Sequence, residues 1–105
     1  MQETIAKFAV GQIIRHKLFD YRGVIVDVDA DFQLNAEWYQ KVALTRPPKN
    51  RPWYHVLVDG GDRTTYVAER NLQTDRSAKP VAHPLVPAFF TELRNGRYKP
   101  VSMHN

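Results

Sequence analysis

The stretch that most constrains this chain is Pro52–Asp59, PWYHVLVD, because it runs into Gly60-Gly61 and then into a second apolar run, Thr64–Glu69, TTYVAE. In an extended strand Trp53, His55 and Leu57 fall on one face, and Tyr54, Val56 and Val58 on the other. Both faces are too apolar for a strand washed by solvent on one side, so the run predicts a strand at the centre of a small β core. Asp59-Gly60-Gly61-Asp62 supplies residues that tolerate positive φ, so the chain is expected to reverse there and pair TTYVAE back as a hairpin.

The flanking sequence extends this β pattern. Gly11 precedes β-branched residues suited to a first strand over Gln12–His16, and Lys17–Asp20 makes a short connection. Tyr21–Asp29 then alternates, with Val24, Val26 and Val28 expected inward and Gly23 expected at a bulge or tight bend. The expected structural core is Val24, Val26, Trp53, His55, Val56, Val58 and Tyr66.

Between Asp31 and Arg51 the pattern breaks. Asn35 is a candidate N-cap for a short inserted helix over Ala36–Val42, and Pro47-Pro48 forbids its continuation. After Asn71 the chain turns polar and proline-bearing, and a last helix is predicted over Ala88–Asn95, with Phe89, Phe90 and Leu93 on one face and Gly96 as its stop. That helix either caps the β core or offers those three residues as a docking patch to another chain. The predicted organisation is a flexible lead-in over 1–7, a β domain over 8–75 and a C-terminal extension over 76–105.

A chain of 105 residues makes one domain, too small for a core plus an elaborate substrate cavity. The absence of cysteine excludes disulfides, zinc thiolate clusters and cysteine nucleophiles. No apolar run approaches the ~20 residues that span a bilayer, and the start of the chain lacks the layout of a signal peptide, so a cytoplasmic protein without membrane contact is expected.

Catalysis finds little foothold. Asp27, Asp29 and Asp31 resemble the opening of a calcium loop, but Phe32 stands where the turn needs glycine and Trp38 where it needs a bidentate glutamate. The four histidines, His16, His55, His83 and His104, show no metal-ligand spacing, and Ser77 and Ser102 sit in loop-like sequence. No metal, cofactor or enzymatic activity is expected. His55, in an apolar strand, is best explained as a hydrogen-bonded structural histidine.

The remaining constellation is aromatic and basic. From Trp38 through Val58 there is no Asp or Glu, while Lys41, Arg46, Lys49 and Arg51 are present, and Arg15, Lys17 and Arg22 add to them from the first hairpin. With a net charge of +4, these seven cations are candidate phosphate contacts, and Trp38, Tyr39, Trp53 and Tyr54 are candidate stacking partners for bases. The same pattern also fits aromatics that fill the core beneath a solvated basic loop.

Five ordered segments, VGQIIRHK, YRGVIVDVD, EWY, PWYHVLVD and YVAERNL, together resemble the heat shock protein HspQ family, also known as the YccV-like or hemimethylated-DNA-binding domain. The resemblance covers roughly residues 8–75. It implies a mainly β fold built as a small SH3-like β-barrel, and a heat-inducible, non-enzymatic cytoplasmic protein. It also implies binding to hemimethylated double-stranded DNA, a role as substrate or specificity factor for the Lon protease, a hand in the level of the replication initiator, and self-association as a trimer. It carries over no defined set of DNA-contacting residues. The chain departs from the acidic members of the family in its longer loop, with Arg46-Pro47-Pro48-Lys49, and in its basic segment Arg94–Lys99.

Overall fold

A computed structural model describes residues 5–101; His104, Ser102 and the first four residues of the expected lead-in lie outside them. Seven strands and two helices follow in the order β1 (Ile13–His16), β2 (Arg22–Asp29), α1 (Ala36–Val42), β3 (Trp53–Val58), β4 (Thr64–Ala68), β5 (Leu72–Thr74), α2 (Val86–Phe89), β6 (Phe90–Arg94) and β7 (Arg97–Pro100). A single 3-10 turn, Glu69–Asn71, joins β4 to β5. The class is mainly β, as expected.

Five strands form an antiparallel sheet in the order β4-β3-β2-β1-β5, and β6 and β7 form a separate hairpin. No ladder joins β4 to β5, so the sheet stays open, and β2 rather than β3 is its middle strand. β3 lies between β2 and β4, and both its faces are covered, Leu57 packing with Val81, Phe90 and Tyr98 and Tyr54 and Val56 with Ile14, Val67 and Leu72, so Trp53, Tyr54, Val56, Leu57 and Val58 are all buried. The turn after β3 uses Gly60 at φ +92, a conformation that costs glycine little.

The inner strands pack on three partners. Ile13, Val24 and Leu57 meet Val81, Phe90 and Tyr98. Ile14, Ile25, Tyr54, Val56, Val67 and Leu72 form a second cluster, and α1 adds Tyr39 and Ala43 to Trp53 and Ala68. The helix begins where its sequence predicts, with the Asn35 side chain accepting the Trp38 N–H at 2.8 Å.

Two local expectations are corrected. Gly23 does not mark the bulge of β2, which falls between Ile25 and Asp27. Gly23 is required for space: a Cβ there would lie 2.5 Å from Val56 Cγ1 and 2.6 Å from the Leu57 carbonyl oxygen. Val24 and Ile25 are both fully buried because they face opposite sides of the sheet and each side is covered, whereas Val26, at the bulge, is only partly buried.

The expected helix Ala88–Asn95 is also shorter than predicted. α2 is one turn, Val86–Phe89, and Phe90–Arg94 is a strand that pairs with β7. Asn95 and Gly96 both have positive φ, at 53 and 74, the pair of angles that a tight hairpin turn needs. Phe89, Phe90 and Leu93 therefore share no helical face: Phe90 is buried and Phe89 is exposed.

Candidate nucleic-acid interface

Two connections converge on the 3-10 turn, which is itself the third. The Lys17 N–H donates to the Asn71 carbonyl at 2.8 Å, tying the β1–β2 turn to it. Arg70 Nη2 donates to the Thr45 carbonyl at 2.6 Å, and Asn71 Nδ2 reaches Thr45 Oγ1 at 3.4 Å, tying in the α1–β3 connection. Lys17, Arg46 and Arg70, all exposed, are thereby carried on neighbouring backbone segments that are far apart in sequence.

The α1–β3 connection is anchored from below. Trp53 Nε1 donates to the Pro48 carbonyl at 3.1 Å and the Tyr39 hydroxyl donates to the Pro47 carbonyl at 2.7 Å. Arg46, at φ 52, turns the chain out of the helix and donates through Nη1 to the Ala43 and Tyr39 carbonyls. Cations at a helix C-terminus are favoured by the exposed carbonyls there. Lys49 Nζ lies 4.3 Å from the Tyr39 ring centroid, a cation–π contact that holds the ammonium at the surface. Arg51, just before Pro52, is exposed.

The aromatic part of the constellation is packed inside. Trp53 and Tyr54 are buried, Trp53 stacks on Tyr66 at 5.2 Å, and Phe32 meets Trp53 edge-on at 5.0 Å. These rings support the basic connection from beneath, and of Trp38, Tyr39, Trp53 and Tyr54 only Trp38, half-buried, keeps part of its surface in solvent.

The other cations are placed differently. Arg22 spends its guanidinium internally: Nε meets Asp75 and Nη1 meets Asp59, each at 3.0 Å, and Nη2 donates to the Lys79 carbonyl at 2.6 Å. With a further bond from Nη1 to the Pro80 carbonyl, four of its five donors are engaged within the fold and the side chain is only 13% exposed, so Arg22 is poorly placed for a phosphate. Arg15 pairs with Asp20 at 2.9 Å and reaches Asp75 at 3.5 Å. Lys41 pairs with Glu37 one helical turn away, an exposed contact that a phosphate can replace.

His55 is half-buried and bonds through Nε2 to Asp29 Oδ2 at 3.0 Å; its carboxylate comes from the neighbouring strand, where sequence adjacency could not show it. The Tyr66 hydroxyl donates to the same oxygen at 2.7 Å, and burial together with Asp29 pushes that hydroxyl's pKa up. Asp27, Asp29 and His55 bring ligand atoms within 4.8 Å of one another, but Asp29 already accepts from two side chains and Asp27 accepts the Val28 N–H. The arrangement is a hydrogen-bonded clasp across β2, β3 and β4.

Sequence reasoning passes over Arg70. It stands alone between Glu69 and Asn71, outside any basic run, and only the folded chain brings it to Thr45. A family model described as hemimethylated DNA-binding protein YccV like matches residues 6–97.

Proposed function

The chain belongs to the YccV-like hemimethylated DNA-binding family, which spans residues 6–97 of its 105, and from that premise we propose that it binds double-stranded DNA through the margin formed by Lys17, Arg46, Lys49, Arg51 and Arg70. The observation that carries this reading is the joining of three cation-bearing connections by the Lys17–Asn71 and Arg70–Thr45 bonds. Cations held on a fixed surface neutralise phosphates and release counterions, while discrimination between methylation states needs base-edge contacts beyond them. Arg22 leaves the set of phosphate contacts, and Arg15 and Lys41 stand at its edge because each already has a carboxylate partner.

The preferred duplex in this reading is hemimethylated. Duplexes of one sequence in unmethylated, hemimethylated and fully methylated form, titrated at two salt concentrations, test it. The preference for the hemimethylated form persists as salt rises, because phosphate contacts weaken alike for all three. Equal affinity for the three duplexes at both salts defeats the reading.

A second reading is that of a cytoplasmic, heat-inducible specificity factor for the Lon protease, acting on the turnover of the replication initiator, with self-association as a trimer. The exposure of Phe89, at the end of α2, favours a protein-binding role, whereas Leu93, in β6, packs partly against the Phe90 cluster. Phe90 drops out of that patch because it is buried. Degradation by purified Lon, measured with and without the chain and with Phe89→Ala, distinguishes this reading: an unchanged rate with the intact chain removes it.

A further inference from the structure

Among the described residues, the exposed large apolar side chains other than Ile5 and Val101 line one groove of about 770 Å³ that runs beside β4. Its apolar banks carry Leu18 and Phe19 from the β1–β2 turn and Val42 and Leu44 from the end of α1, all more than half exposed. Leu85 and Phe89 line it as well. Apolar surface gathered in one place on an otherwise polar chain marks a site of association.

The strand along this groove has an unpaired edge. The Glu69 N–H donates to the Pro52 carbonyl and the Val58 N–H to the Arg63 carbonyl, so the odd-numbered residues of β4 face β3. Thr64, Tyr66 and Ala68 turn their N–H and C=O groups the other way, at the outer edge of the sheet. Ala68 is buried beside Ala43, whereas Thr64 is exposed and Tyr66 partly so. The strand, TTYVA, contains no lysine, proline or bulge in its register with β3, the devices that usually protect an edge.

Charge narrows the occupant. Among the described residues no carboxylate lines the groove; Arg63 does, just before β4, and Lys17 adjoins Leu18 in the chain. A second copy would bring a net charge of +4 onto another +4, whereas a segment with acidic flanks complements the site. We propose that this groove binds an extended apolar peptide segment, flanked by acidic residues, from another protein, which adds a strand at Thr64 and Tyr66 and seats alternate side chains between the apolar banks. The inference does not depend on the DNA reading; it gives the protease-factor reading a concrete site.

The test uses the full chain and a fluorescein-labelled peptide of about eight residues, alternating Val and Thr and carrying two glutamates at one end. Fluorescence anisotropy is expected to show saturable binding. N-methylation of the peptide N–H groups that face β4 weakens it about tenfold through two lost ladder bonds. Replacing the glutamates with lysines weakens it further, and Phe19→Glu with Leu44→Glu abolishes it. These two side chains are 66% and 72% exposed, so the variant is expected to keep the urea midpoint of the parent. Amide shifts at Thr64 and Tyr66 on peptide addition locate the strand. A flat titration overturns the proposal, as does equal binding of the N-methylated peptide. It is also overturned by sedimentation showing a self-associated chain that Leu44→Glu returns to monomer, which would make a second copy the occupant.

Discussion

The Arg22 guanidinium meets the Asp75 carboxylate at 3.0 Å, and the Asp75 side chain is only 3% exposed. The same guanidinium binds Asp59 and the Lys79 carbonyl, so one side chain joins the start of β2, the β3–β4 turn and the segment that follows β5. Removing the Asp75 charge leaves the largely buried guanidinium with Asp59 as its one remaining carboxylate partner. Asp75→Asn is expected to cost about 3 kcal/mol, read from the urea midpoint. Arg22→Lys does not spare the protein, because a single ammonium cannot reproduce the fork. Burial alone would raise the Asp75 pKa, but the Ser77 hydroxyl and the Arg22 guanidinium, with Arg15, outweigh it and hold the carboxyl below its usual range. The associated stability is complete above the unfolded carboxylate value of about 3.9 and is lost as pH falls through the lower folded value. Asp75→Asn removes that acid limb from the stability profile.

Phe89 and Phe90 are neighbours with opposite fates. Phe90 packs among Ile13, Val24, Leu57 and Tyr98, with its ring 5.2 Å from that of Tyr98. Phe90→Ala is expected to lower stability by about 3–5 kcal/mol. Phe89→Ala, at an exposed site, stays within about 0.5 kcal/mol. Urea unfolding of the two variants side by side checks both values; equal losses would mean that Phe90 does not belong to the core.

How much of this was legible in the chain follows from the range of the signals. The helix Ala36–Val42 and its Asn35 cap are local, and the β3–β4 hairpin announces itself through a glycine pair between two apolar runs. The C-terminal hairpin carried an equally local signal, Asn95-Gly96, but the spacing of Phe89, Phe90 and Leu93 suited a helix and masked it. What sequence cannot show is the pairing of distant groups. Arg22 looked like a free cation because Asp59 and Asp75 are far along the chain, and Arg70 looked incidental because Thr45 is. Charge counts treat these two arginines alike; the fold spends one internally and presents the other.

His16 makes stability depend on pH near neutrality. Its imidazole is buried, and Nδ1 accepts the N–H groups of Leu18 and Phe19, each at 3.1 Å. Burial lowers its pKa, and a protonated Nδ1 could accept neither bond. The unfolded chain therefore binds a proton at a pH where the folded chain does not, so stability is full above the unfolded value of about 6.5 and declines as pH falls below it. Urea midpoints between neutral and mildly acidic pH are expected to show this decline, and His16→Gln to flatten it. A decline of equal size in the variant would assign it to another group.

Removing a phosphate contact leaves a signature that removing a base contact does not. Lys17→Ala and Arg51→Ala each weaken binding to unmethylated, hemimethylated and fully methylated duplexes by the same factor, and each lowers the slope of log affinity against log salt by about one. Arg70→Ala shows the same change and a second one, because loss of the 2.6 Å bond to Thr45 removes one of the two side-chain ties between the 3-10 turn and the α1–β3 connection that carries Arg46. Its effect therefore exceeds that of Lys17→Ala, and the double variant falls short of the sum of the two, since both act through the same three-way junction. Arg22→Ala changes stability but leaves the salt slope of the folded fraction untouched. Fluorescence anisotropy over a salt series decides the matter. A slope that is unaltered in Lys17→Ala and Arg70→Ala, with affinity intact, would place the DNA on another face of the protein.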